Sequence, residues 1–164
     1  MLRPATADDV PAAWALTRAA FEQYHSFGIE GYTPPEESVE DFGARLGACG
    51  AWGVVAEAAD EVAGIGAFEP AREQAKSGPL VKGLAHVFAI FVAEPHWGDG
   101  TATALLDAVV AEIRSRGYAE ARLFTPAAQT RARRFYAREG WSERGAPVPV
   151  AELGLDMIEL RRPI

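Results

Sequence analysis

Leu84-Ala85-His86-Val87-Phe88-Ala89-Ile90-Phe91-Val92, then Ala93-Glu94-Pro95-His96, then Trp97-Gly98-Asp99-Gly100-Thr101-Ala102-Thr103-Ala104-Leu105-Leu106, is the stretch on which the fold turns. Its first nine residues are almost continuously apolar and rich in β-forming side chains, which predicts a strand in the middle of a sheet rather than a half-solvated edge. Its last part predicts a helix, with Leu105, Leu106, Val109, Val110 and Ile113 on the buried face and Gly117 as its stop. Between them lie two glycines at a helix start. There the backbone can approach a ligand closely, and the free amides favour a phosphate. The loop is not a P-loop, because no Gly-Lys-Ser/Thr follows, and it lacks the third glycine of a dinucleotide fingerprint.

Working outward, Leu2 to Ala5 predicts a first strand, and Thr6-x-x-Asp9 starts a helix that carries Val10, Trp14, Thr17 and Phe21. A second helix start is expected at Thr33, with Pro34 in the first helical position, Glu36 three residues after the cap, and an acidic run through Asp41. Trp52 to Ala58 and Val62 to Phe68 predict a hairpin about Asp60, followed by a polar loop over residues 70–82. Beyond the long helix, Ala119 to Phe124 predicts a strand, and a helix is expected from about Pro126–Gln129 to Glu139, closed by Gly140. Trp141 to Arg144 and Leu155 to Leu160 then complete the sheet. No repeat or linker divides the chain, so residues 1–164 are expected to form one mixed α/β domain around one sheet, with about four helices.

Composition narrows the function. A net charge of −7 argues against a nucleic-acid partner, which needs a basic surface. Apolar stretches are short or interrupted, the start Met1-Leu2-Arg3-Pro4 does not read as a signal peptide, and no membrane partner is expected. The single cysteine, Cys49, excludes an internal disulfide, fits a cytoplasmic location, and is expected to be a small buried or half-buried thiol rather than a nucleophile.

The strand ending Ile90-Phe91-Val92, Pro95, the glycine loop and Ala104-Leu105-Leu106 resemble the GCN5-related N-acetyltransferase (GNAT) family. So does Ala132-x-x-Phe135-Tyr136-x-x-x-Gly140-Trp141, some thirty residues later. The order of elements from Leu2 to Leu160 is similar as well, which implies an α/β (α+β) fold whose mixed, mostly antiparallel sheet is splayed at the middle strands. The resemblance implies an acetyl-CoA-dependent N-acetyltransferase that carries acetyl to an amine by direct attack in a ternary complex, with no metal and no acyl-enzyme. The acceptor stays open between small molecules and peptides, and a homodimer is the commonest assembly.

Residue by residue, it implies that Ile90, Phe91 and Val92 meet the pantetheine arm and that the loop Gly98, Asp99, Gly100, Thr101, Ala102 and Thr103 holds the pyrophosphate. Tyr136 would protonate the departing thiolate. Three positions depart from the family pattern: Trp97 opens the loop in place of Gln or Arg, Asp99 sits among the phosphate-binding amides, and Gln129 stands for the usual Asn. Arg131, Arg133 and Arg134 are candidates to meet the phosphates.

His86 lies four residues before Ile90, on the same strand face, where family members carry a catalytic Glu or His. It is the candidate base, with Glu69 or a water in reserve and with weaker claims from His96 and His25. Tyr24, His25, Phe27 and Tyr32 fall where the family borders its acceptor pocket. An acyl-CoA-sensing domain without catalysis is the alternative reading.

Overall fold

The alternation of small and branched residues in the central strands dictates how closely helices approach them, and this sets the architecture. The computed structural model describes residues 1–27, 29, 31–74 and 76–164, with the side chain of Phe27 also outside the description. Strands β1 (Leu2–Pro4), β2 (Trp52–Ala58), β3 (Glu61–Arg72), β4 (Leu80–Val92), β5 (Glu120–Pro126), β6 (Ser142–Val150) and β7 (Leu155–Pro163) form one sheet in the order β1-β2-β3-β4-β5-β7-β6. All neighbours are antiparallel except β4 and β5. Helices α1 (Val10–Glu22) and α2 (Val39–Leu46) cover one face, over Val55, Ile65, Ala67 and Ala89. Helices α3 (Thr101–Ser115) and α4 (Thr130–Arg138) belong to the other, over Val54, Phe68, Val87, Leu123 and Ile158.

The long helix packs close against the glycines of β3. A Cβ added at Gly64 would lie 2.8 Å from Leu105 Cδ1 and 3.1 Å from the Phe91 carbonyl, and one at Gly66 would lie 3.0 Å from Val109 Cγ2. Two missing side chains therefore fix the height of α3, and with it the loop at its N-terminus.

Several expectations are corrected. The second helix is capped by Ser38, not Thr33. The Asp41 carboxylate accepts from the Ser38 amide at 2.9 Å, and Ser38 Oγ accepts from the Asp41 amide at 3.1 Å. Thr33 instead donates its amide to the Leu153 carbonyl at 2.9 Å, a tertiary contact that leaves it outside any helix. The hairpin strands run further than expected, to Arg72 and from Leu80, so the connecting segment is shorter than 70–82. Strand β6 continues to Val150 through Pro147 and Pro149, which an edge strand tolerates because its outer side needs no donors. Cys49 is exposed, in the turn between α2 and β2, rather than buried or half-buried.

Gly64→Val should destabilise the fold by about 1–3 kcal/mol through overpacking against Leu105. A lowered urea midpoint with an unchanged slope would register it, and a wild-type midpoint would contradict the packing described.

Candidate active site

The site follows from an interrupted pairing. Parallel β4 and β5 match only at Leu84↔Glu120, Ala85↔Ala121 and His86↔Arg122. Beyond His86 and Arg122 the strands diverge. On its other side β4 carries a register shift against β3 opposite Ala67 and Phe68, which places Phe88 as the extra residue.

Because the Ala93 amide bonds the Ala63 carbonyl at 2.9 Å, the two-residue alternation turns the amides and carbonyls of Phe91 and Ala89 towards β3. Those of Ile90 and Val92 consequently face the gap left by β5. The Val92 carbonyl accepts the Trp97 indole N–H at 2.8 Å, which ties the strand end to the glycine loop.

The gap is a cleft of about 600 Å³. It brings together most of the expected residues: Ile90, Phe91, Val92, Trp97, Gly98, Gly100, Ala102, Thr103, Gln129 and Tyr136 all line it, as do His96 and Tyr24. Gly98 and Gly100 have φ of +84° and +97°, and a Cβ at either would meet nothing within 4 Å, so the cradle is open on that side. Gly100 caps α3. The Ala104 amide, bonded to the Gly100 carbonyl at 3.0 Å, is the first to enter the helical pattern, which leaves Ala102 and Thr103 amides at the mouth. The Thr101 amide is already taken by Asp99 Oδ1 at 2.9 Å. Asp99 also lies 3.1 Å from His96 Nδ1, and the Thr101 hydrogen bonds hold its carboxyl below the usual range.

On the facing wall, α4 turns Arg131, Arg134 and Arg138 into the cleft. Their spacing of three and four residues puts them on one helix face. Arg131 lies 4.4 Å over the Trp97 ring. Arg133 points elsewhere, pairing with Glu143 at 2.6 Å and donating to the Ala127 carbonyl at 2.7 Å, which corrects its candidacy for phosphate. Arg138 was not anticipated, although its position one further turn along the helix carried the signal.

Tyr136 is half-buried between Phe135 and Trp141, with ring centroids 5.1 and 6.0 Å away, and burial pushes its hydroxyl pKa above the ordinary value. Tyr24 is raised in the same way, with smaller contributions from Tyr32 and Tyr136.

The proposed bases lie elsewhere. His86 is 5% exposed, sits 5.5 Å from the Phe124 ring, and is not among the residues lining the cleft. Burial, helped by the charges of Arg122 and Arg45, pushes its pKa down to about 3. Glu69, its partner across β3, is held by Arg45 at 2.6 Å, and Arg45 also stacks 4.2 Å over Phe88.

The segment that follows α1 borders the cleft through Tyr24. It starts where Phe21 of α1 meets Phe91 edge-on at 5.6 Å, and it packs Tyr32 against Tyr24 at 5.0 Å and His25 at 5.6 Å. It ends on the turn before β7, where a Cβ on Gly154 would fall 2.0 Å from the Gly31 carbonyl. Phe27, expected in the same aromatic group, has its side chain outside the described residues.

The sequence matches the Acetyltransferase (GNAT) family over residues 13–141. The chain belongs to the GNAT family. It is thus an acyltransferase, of a family that uses acetyl-CoA as co-substrate and transfers acetyl groups to amines, and the non-catalytic alternative falls away. No curated protein matches it. Among solved structures it is similar to the ribosomal-protein-alanine N-acetyltransferase of Brucella melitensis, with a TM-score of 0.80 and 19% identity over 100% of this chain and 99% of that one. It is also similar to the ribosomal-protein-S18-alanine N-acetyltransferase of Escherichia coli, at 0.73 and 19% over 100% and 93%. A GCN5-related N-acetyltransferase from Kribbella flavida gives 0.76 and 21% over 100% and 97%. At such identities these likenesses speak for the fold. Among the described residues no group of side chains forms a metal site, and no helix is long and apolar enough to cross a membrane.

The burial of His86 has a measurable sign. Unfolded, a histidine binds its proton near pH 6.5, whereas the folded His86 refuses it until about 3. Its contribution to stability is therefore full above pH 6.5 and is lost as the pH falls towards 3. His86→Gln should flatten the decline in unfolding free energy between pH 7 and 4.5 relative to wild type. Parallel declines would mean that His86 titrates normally.

Proposed function

We propose that the chain transfers the acetyl group of acetyl-CoA to the primary amine of its acceptor by direct attack in a ternary complex. One observation carries this reading: the backbone of Ile90 and the amide of Val92, which no neighbouring strand receives, open into the same cleft as the glycine loop and Tyr136.

The residues present fit acetyl-CoA. Amides at Ile90 and Val92 would take the pantetheine arm as an added strand, leaving the Val92 carbonyl to Trp97. The open Gly98 and Gly100, with the amides of Ala102 and Thr103 at the start of α3, suit a pyrophosphate. Arg131, Arg134 and Arg138 supply cations from across the cleft and offset the Asp99 carboxylate. The co-substrate supplies an activated acyl thioester, and the protein's part is to position it and to manage protons.

Tyr136 stays protonated well above neutral pH, as a donor to the departing thiolate must. The amine's proton is assigned to solvent rather than to His86 or Glu69, because neither side chain lines the cleft. Cys49, exposed and far from these residues in sequence, takes no part, and a cytoplasmic setting suits both its free thiol and the co-substrate.

Acetyl-CoA at a hundred times its dissociation constant should stabilise the fold by about 2.7 kcal/mol, seen as a raised Tm, while ATP and NAD at equal concentration do little. Gly100→Glu should abolish the rise by filling the cradle with a like charge. No response to millimolar acetyl-CoA would refute the assignment of the cleft.

Tyr136→Phe removes one hydroxyl and keeps the ring. Turnover should fall by roughly 10²–10⁴-fold while the Tm rise with acetyl-CoA persists. Full turnover, with chemistry shown to be rate-limiting, would take Tyr136 out of the reaction.

A further inference from the structure

Arg122 stands across from His86 at the last paired position before the fork. It is 3% exposed, and neither its Nε nor its Nη2 has a hydrogen-bond partner. The Nδ1 of His86 beside it is unpartnered too. The neighbouring cations are matched: Arg45 is bound to Glu69, and Arg161 to both Glu159 and Glu120. Glu159 and Glu69 reach Arg122 only through space and make no hydrogen bond to it.

A guanidinium keeps its charge even when buried, and leaving such a charge uncompensated is costly. Its free donors form the flat fork that receives a carboxylate. Arg122 itself does not line the cleft, but its neighbour Phe124 does. Phe124 stacks 5.1 Å from the guanidinium, is itself half-buried, and lines the cleft, so a turn of that ring joins Arg122 to the site.

We propose that the acceptor is an amine bearing a carboxylate, and that Arg122, uncovered when the Phe124 ring turns aside, holds that carboxylate while the amine faces the thioester. This rests on the acetyltransferase reading of the cleft and narrows its acceptor. Arg122 is a specificity residue here and takes no proton.

The test uses matched acceptors: each of the twenty amino acids, β-alanine and 4-aminobutyrate, paired with its own amide, together with peptides that carry a free N-terminus and an amidated C-terminus. CoA release from acetyl-CoA is the readout. At least one acid should exceed its amide by about 10–100-fold in kcat/KM, the scale of a charge-assisted pair. Arg122→Met should bring that acid down to the level of its amide, and Arg122→Lys should restore part of the difference, with the acetyl-CoA-induced rise in Tm retained in both. Amides or peptides used as well as the acids by the wild type would overturn the proposal, whatever the variants do.

If acetyl-CoA binds but no amine releases CoA, the comparison moves to binding. The acids should raise the Tm of the acetyl-CoA-loaded protein more than their amides, and equal effects would end the proposal. If acetyl-CoA itself does not bind, the acetyltransferase reading fails separately, and the same acid-against-amide comparison on the protein alone decides the carboxylate subsite.

Discussion

Three residue pairs between two parallel strands hold this molecule's site in place. Where β4 and β5 pair, from Leu84 to His86, the sheet is continuous, and beyond that point their backbone groups turn outward with no strand to receive them. Unpaired backbone inside a sheet is costly, so it persists only where something else meets it. Here the Val92 carbonyl finds the Trp97 indole, and the remaining groups line a cleft. The register shift at Phe88 on the other side of β4 places that aromatic ring at the cleft wall, under Arg45.

What the sequence revealed and what it hid follow from the range of the interactions. The glycine loop, the buried stripe of α3 and the Phe135-Tyr136 signature are local patterns, and each lands where its spacing predicts. Periodicity also reached the arginines of α4, although only tertiary structure separates Arg133, spent on Glu143, from the three that face the cleft. The cap at Ser38 was missed because Thr33-Pro34 carries similar local chemistry, and a distant carbonyl at Leu153 decided between them. The continuation of β6 was obscured by Pro147 and Pro149, residues that end a central strand but not an outer one.

His86 and Arg122 show the same limit at the site. Strand alternation put His86 on the correct face, yet its protonation depends on Arg122, Arg45 and Phe124 packed around it, which no spacing rule reports. Nothing in the local sequence of the Ala119 to Phe124 strand marks Arg122 as buried. Its burial comes from the partners of β5 on either side, contributed by segments thirty or more residues away in the chain.

The hydrogen bond from Trp97 to Val92 ties the strand end to the glycine loop. On the proposed reading, these are the two places that grip opposite ends of the same carrier. A fixed separation between grips acts as a caliper: it measures the length of the arm between phosphate and thioester, and it does so before chemistry begins. Such a device selects carriers by span, so that the identity of the acyl donor and that of the acceptor are set by separate parts of the fold and can drift independently of each other.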